Sequence, residues 1–274
     1  MRLMANFTIA LNMDFLKMNG KKDKMYDAFI IARLNSSRLV RKNVLPILDL
    51  PMIIHLADRV KNSKKVNRVI ITTSKESTDD ELEEVAKEYG VDCYRGPLNN
   101  LMQRISDAAE YFESQNIIEI LGDNPLVHSS LIDDVVNLFE NGNYDYAANI
   151  SNDYGDLANG MKLFSIGLRV QVYKAKVALD HVKYPEYLTN GKHPSAYIFE
   201  NPEIYKTAYL EAHGKWEFTN QPELNFSVNY PKNFELNKKI IETNYPNDKN
   251  FSLEKVFEQI KSEPELLRLF GAEW

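Results

Sequence analysis

Short unbroken apolar runs alternate with helix-spaced apolar stripes through the first half of the chain. Ala28-Phe29-Ile30-Ile31-Ala32 is such a run and predicts a strand buried on both faces. Val44 to Leu48 leads to Pro51, which suits a first helical turn, and Ile53, Leu56, Ala57 and Val60 then recur at helical spacing. Val66 to Ser74 reads as a second buried strand, ending in hydroxyls. Thr78 with Glu81 is a capping-box signal for a helix that carries Leu82, Val85 and Ala86 and closes at Gly90. A short strand over Val91 to Tyr94 is broken by Arg95-Gly96-Pro97. Asn100 with Gln103 predicts the cap of a helix striped by Leu101, Ile105, Ala108, Ala109 and Phe112. Ile117 to Leu121 is the next strand and runs into Gly122-Asp123-Asn124-Pro125. Ser130 and Asp133 begin a helix through Phe139, and Tyr144 to Asn149 supply one more strand.

Strict alternation of strand and helix over residues 27–150 predicts a three-layer α/β/α Rossmann-like fold on a mostly parallel sheet with right-handed crossovers. Ligands of such sheets bind beyond the carboxyl ends of the strands. Arg33 to Lys42, Thr72 to Ser74, Arg95-Gly96 and Gly122-Asp123 all follow strand ends, so they are expected to meet on one rim. From about residue 155 the rhythm changes. Lys162 to Tyr173 alternates loosely like a strand, and residues 181–215, rich in Tyr, Pro, Gly and His, show no clear helical stripe. The stretch 155–215 is therefore expected to be a β-rich arm that contacts an acceptor and a second copy of the chain. Phe226 to Asn229 reads as a last strand, Tyr230-Pro231 opens a helix through Ile241, and Leu253, Val256, Phe257 and Ile260 mark a terminal one. Residues 1–25 are expected to be a poorly ordered extension before a single domain over 26–270.

Charge narrows the class of partner. A formal net charge of -6 and a pI near 5.5 argue against a nucleic-acid surface, which needs a broad basic face. Yet Arg33 to Lys42 reads R-L-N-S-S-R-L-V-R-K, a cationic, hydroxyl-bearing loop straight after a buried strand. Hydroxyls and free backbone N–H groups can wrap phosphate oxygens there while Arg and Lys neutralise them, so a small polyphosphate ligand is expected. Cys93 is the one cysteine, which excludes an internal disulfide and a thiolate metal site and fits a reducing cytoplasm. There is no apolar run of membrane-spanning length. His55, His128, His181 and His213 lack metal-ligand spacing, and no Walker loop, Gly-x-Gly-x-x-Gly fingerprint or Gly-x-Ser-x-Gly elbow occurs.

Taken together, these stretches resemble the cytidylyltransferases that activate acidic sugars as CMP conjugates. The likeness is greatest to the spore-coat polysaccharide branch related to CMP-3-deoxy-manno-octulosonate synthetase. The family loop, roughly A-R-x-G-S-x-R-L-P-x-K, stands here as Ala32-Arg33-Leu34-Asn35-Ser36-Ser37-Arg38-Leu39-Val40-Arg41-Lys42. Thr72-Thr73-Ser74, Arg95-Gly96 with Leu101 and Arg104, Gly122-Asp123-Asn124-Pro125-Leu126, Ser227-Val228-Asn229-Tyr230-Pro231 and Pro264-Glu265-Leu266 continue the match.

The resemblance implies a cytoplasmic, homodimeric enzyme in which Ala32, Arg33, Ser36, Ser37, Arg38, Lys42, Thr72, Thr73, Ser74, Arg95 and Arg104 bind CTP. Arg33, Lys42 and Asp123 would be catalytic, Lys162 and His193 would meet an anionic acceptor, and Mg2+ would sit on Asp123 with Asn229 as a weaker second ligand. An acceptor oxygen would attack the α-phosphate and release pyrophosphate, chemistry that needs positioning and cations rather than covalent help. Departures are also visible. Asn35 replaces a Gly and is expected to tolerate a left-handed backbone. Val40-Arg41 replaces Pro-Gly, with Arg41 expected beside the phosphates. The second metal carboxylate becomes Asn229, an acid following Gly-Leu or a similar pair becomes Lys162, and an acid near Arg95 becomes Asn100. Either Lys162 and Arg41 take over part of the metal's role, or a non-catalytic nucleotide-binding scaffold remains; a phosphate or phosphonate acceptor is a third alternative.

Overall fold

The computed structural model describes residues 26–183 and 196–270. His193 and the N-terminal extension lie outside the described residues.

Strand β1 (Tyr26–Ile31) is the centre of the sheet, and its side chains alternate between two cores as its unbroken apolar run requires. Ala28 and Ile30 pack on one side and Phe29 on the other. The chain continues through a small antiparallel pair, β2 (Pro46–Ile47) and β3 (Leu50–Pro51), into helix α1 (Met52–Lys61). It then forms β4 (Val66–Ser74), α2 (Asp80–Glu88), β5 (Asp92–Gly96), α3 (Leu101–Tyr111) and β6 (Asn116–Leu121). Helix α4 (Ser129–Asn141), β7 (Tyr146–Asn149), β8 (Gln171–Lys174) and α5 (Ala175–Val182) follow. The described chain ends with α6 (Ala196–Glu200), β9 (Thr207–Leu210), α7 (Pro231–Asn244) and α8 (Leu253–Ser262).

The main sheet runs in the order β5-β4-β1-β6-β8-β7-β9. The strands β5, β4, β1 and β6 are parallel, β8 is antiparallel to both neighbours, and β9 is parallel to β7. Buried residues of α1, α2, α4, α7 and α8 share one core, and those of α3, α5 and α6 share the other, giving three layers. This crossover pattern puts the carboxyl ends of β1, β4 and β6 on one rim.

Four local expectations change. The capping box at Thr78 and Glu81 is absent; Asp79 precedes α2 and turns its carboxylate to other partners. Only Gln171–Lys174 of the expected 162–173 strand pairs continuously, because Gly167 adopts φ 89° and Phe164 and Ile166 make single bridges. The segment 155–215 is not a β-rich arm among the described residues: β8 and β9 join the main sheet, and Val177, Ala178, Tyr197 and Ile198 enter the core beside α3. Phe226 to Asn229 forms no strand and bends at Ser227, tied instead by Phe226 N donating to Ile166 O at 2.8 Å and Val228 N to Asp123 O at 2.8 Å.

Candidate active site

The loop after β1 is held from three sides. Leu34 N donates to Asp79 Oδ1 at 2.7 Å, Asn43 Nδ2 donates to the Arg33 carbonyl at 3.0 Å, and Arg41 N closes back on Leu34 O at 3.0 Å. The other oxygen of Asp79 accepts from Ser74 N at 3.2 Å and from Ser74 Oγ. Asp79 is fully buried, so one carboxylate joins the loop after β1 to the end of β4. The floor is equally close-packed. Gly122 N donates to Ile31 O at 2.8 Å, and a Cβ at Gly122 would stand 3.0 Å from both Ala32 Cβ and Ile31 O.

The loop after β6 carries Asp123 and is fixed from beneath by Arg59. Its guanidinium donates to the carbonyls of Val127 at 3.2 Å, Leu126 at 3.2 Å and Phe251 at 3.0 Å, and lies 4.3 Å from the centre of the Phe251 ring. Complete burial pushes the Arg59 pKa down to about 9, with Asp248 acting in the opposite direction. Ser227 Oγ donates to Asn124 Oδ1 at 2.8 Å and so ties the 226–229 segment to the same loop.

Between these loops lies a cavity of about 520 Å³ lined by Ala32, Arg33, Ser36, Ser37, Arg38, Lys42, Asn43, Arg104 and Asp123, with apolar walls from Ile31, Leu98, Leu101 and Leu121. Its polar lining has four cations against one carboxylate, inside a chain whose net charge is -6. An apolar hollow of similar volume beside Phe257, Pro264 and Leu267 is lined by Glu254, Glu258 and a single cation, Lys261, and lacks that convergence. Lys42 is buried, and its Nζ donates to Asp123 Oδ2 at 2.7 Å, to Val228 O at 2.8 Å and to Asn229 Oδ1 at 3.4 Å. Arg38 Nη2 donates to Asn229 Oδ1 at 2.8 Å, and its guanidinium lies 5.4 Å from the centre of the Tyr230 ring. Arg104 reaches the cavity past Gly96, where a Cβ would stand 2.7 Å from Arg104 Cγ. Burial lowers the Arg104 pKa to about 10, opposed by Asp79.

Several expected site residues are elsewhere. Thr72, Thr73 and Ser74 are wholly buried and do not line the cavity; their hydroxyls face the interior, where Thr72 Oγ1 meets Ile30 O and Ser74 Oγ meets Asp79. Arg95 braces the turn before α2, donating to Ser74 O and Glu76 O at 2.9 Å each and pairing with Asp80 and Glu83. Arg41 pairs outward with Glu81 and is itself the left-handed residue of the loop, at φ 59°; Asn35 is not at positive φ. Lys162 is half exposed and held by Glu217 at 2.7 Å beside His213, outside the lining of the cavity. Gly167-Leu168 is also followed by a cation, Arg169, which lines an adjoining cavity.

A family model described as cytidylyltransferase matches residues 28–262. The chain belongs to the cytidylyltransferase family. It is a nucleotidyltransferase that uses CTP. Over 207 residues it is 28% identical to the uncharacterized protein MJ1063 of Methanocaldococcus jannaschii, covering 76% of this chain and 79% of that one. Over 192 residues it is 30% identical to the spore coat polysaccharide biosynthesis protein SpsF of Bacillus subtilis, covering 67% and 74% respectively. The solved structure of a cytidylyltransferase from Leptospira borgpetersenii is 26% identical with a TM-score of 0.77, covering 91% of this chain and 98% of that one. Within this cytidylyltransferase, Asp79, Asn43 and Arg59 are the residues that sequence reading missed. Each acts through contacts outside its own local element, which no local pattern in the sequence marks.

Proposed function

We propose that the cytidylyltransferase moves CMP from CTP to an anionic acceptor, releasing pyrophosphate, as a step in making a surface polysaccharide precursor. The convergence of Arg33, Arg38, Lys42 and Arg104 on one cavity carries this reading, because four cations match the charge of a triphosphate. In the reaction an acceptor oxygen forms a bond to the α-phosphorus while the bond to the bridging oxygen breaks and its electron pair leaves with pyrophosphate. The hydroxyl proton passes to solvent at the rim. Arg33 and Arg38 stand exposed at the mouth and draw in the phosphates, and buried Lys42 stabilises charge that spreads during transfer.

The donor set suits one Mg2+. Asp123 Oδ1 is buried without a hydrogen-bond partner while Oδ2 is held by Lys42, which leaves one hard oxygen for a divalent ion that also takes phosphate oxygens and water. Asn229 does not suit a second, because its amide oxygen already accepts from Arg38 and Lys42. No cluster of three or more His, Cys, Asp or Glu occurs among the described residues. When bound, such an ion supplies Lewis-acid polarisation of the α-phosphate. The cations beside Asn229 are thus Arg38 and Lys42 rather than the Arg41 and Lys162 expected from sequence. Cytoplasmic location and a homodimer are part of the same proposal, supported by the cysteine content and the family resemblance.

Pyrophosphate release from CTP in the presence of 3-deoxy-manno-octulosonate and a panel of other sugar acids, phosphates and phosphonates tests the reading. Release that requires both CTP and an acceptor, and is abolished in Lys42→Met, is the expected result. CTP bound without turnover on every acceptor would favour a nucleotide-binding scaffold.

A further inference from the structure

Two cations of the first cavity meet on one neutral atom. Asn229 Oδ1 accepts from Arg38 Nη2 at 2.8 Å and from Lys42 Nζ at 3.4 Å, across 191 and 187 positions of sequence. Two donors on that atom fix which way the amide lies, since its nitrogen cannot accept. Asn229 does not line the first cavity, so it reaches the cations from outside the space that a triphosphate would fill. It lines instead the adjoining cavity of about 460 Å³, which shares Leu121 and Asp123 with the first.

The backbone that carries this amide is held on both sides. Asn233 Oδ1, from a buried residue in the first turn of α7, accepts from Asn229 N at 3.3 Å and from Tyr230 N at 3.0 Å. On the other side Val228 N donates to Asp123 O at 2.8 Å. The Tyr230 ring flanks Arg38 with its centre 5.4 Å from the guanidinium carbon. Ring and amide together direct that guanidinium without neutralising it.

Lys42 shows why a neutral acceptor matters. An ammonium has three N–H donors, and Lys42 directs them to Asp123 Oδ2 at 2.7 Å, Val228 O at 2.8 Å and Asn229 Oδ1 at 3.4 Å. An entering phosphate oxygen must displace one of the three. The Asn229 contact is the longest and is uncharged at the acceptor, so it yields most readily. A carboxylate at this position would pair ionically with both cations and repel the phosphates.

We propose that Asn229 is a positioning residue for the phosphate-binding cations: it orients Arg38 through a lasting hydrogen bond and holds Lys42 through a weak one that the triphosphate replaces. The proposal rests on CTP occupying the first cavity. In this arrangement Asn229 acts on the nucleotide through Arg38 and Lys42 and holds no metal.

The test uses the full chain and calorimetric titration with CTP and with CMP in the presence of Mg2+. Asn229→Ala is expected to weaken CTP binding about tenfold and CMP binding less, because the lost orientation acts on cations that grip phosphates. In an Arg38→Ala background the same substitution is expected to weaken CTP binding by no more than about threefold, since most of its effect passes through Arg38. Asn229→Asp keeps the size and the oxygen of the side chain but adds a charge, and CTP binding measured in EDTA is expected to fall about tenfold. Equal losses for CTP and CMP, an undiminished loss in the Arg38→Ala background, or wild-type affinity in Asn229→Asp would each overturn the positioning role. Failure of the wild type to bind CTP would instead overturn the reading of the first cavity.

Discussion

Lys42 Nζ donates to Asp123 Oδ2 across 2.7 Å, although the residues are 81 positions apart in sequence. The contact joins the loops after β1 and β6 at the seam between the two cavities. Its side chains are 10% and 20% exposed, so the pair is substantially desolvated. Lys42→Met leaves Asp123 without its cation, and unfolding in urea is expected to show a loss of about 2 kcal/mol. Lys42→Met combined with Asp123→Asn recovers most of that loss, because both charges go together. Turnover in either background falls about 10²-fold or more. Unchanged stability of the single variant would contradict the ion pair.

Asp79 organises the cationic loop after β1 without lining the cavity. Asp79→Ala strands the Leu34 and Ser74 N–H groups that its two oxygens accept. The expected cost is about 3 kcal/mol in denaturant unfolding, together with weaker CTP binding. Amide exchange over residues 33–42 should accelerate in this variant.

Arg41 carries the left-handed turn of the loop at φ 59° and spends its charge on Glu81 at the surface. Arg41→Gly is expected to raise stability by about 1 kcal/mol, since glycine adopts that backbone without strain and an exposed ion pair contributes little. CTP affinity should stay within twofold. A large loss of affinity would place Arg41 back among the phosphate ligands.

Two buried histidines set a pH dependence. Burial lowers the pKa of His55 and of His128, with backbone bonds to Ile47 and Asn250 acting in the opposite direction. His128 Nδ1 accepts from Ser130 N at 3.1 Å as the cap of α4, and its Nε2 lies 3.1 Å from Asn250 O, which assigns the neutral Nε2–H tautomer. A base whose folded pKa lies below its unfolded value favours the neutral form in the fold. That contribution is complete above about pH 6.5 and is lost as pH falls below it toward the folded pKa. Melting temperature should therefore decline on acidification from pH 7 to 5, with a shallower slope in His128→Asn.

The order of elements was legible because β1, β4 and β6 are short, mostly apolar runs and the helices between them carry single stripes. The Asn100 cap, which accepts from Gln103 N at 2.9 Å, and Pro231 at the start of α7 were legible for the same local reason. The cationic loop after β1 was readable from its density of Arg and Lys. What sequence could not reveal is the direction of long side chains and the partners brought by the fold. Arg95 and Arg41 read as phosphate ligands, but acids on α2 claim them. Asp79 lies inside the expected Thr78–Glu81 cap but drew no reading of its own, and it accepts from Leu34 N, 45 residues away.

Calorimetric titration with CTP, UTP, ATP and GTP, each with Mg2+, tests the central assignment most directly. The account predicts selective CTP binding at one site per chain, weakened at least tenfold in Arg38→Ala. No CTP binding, or equal binding of all four nucleotides with Arg38→Ala unaffected, would contradict it.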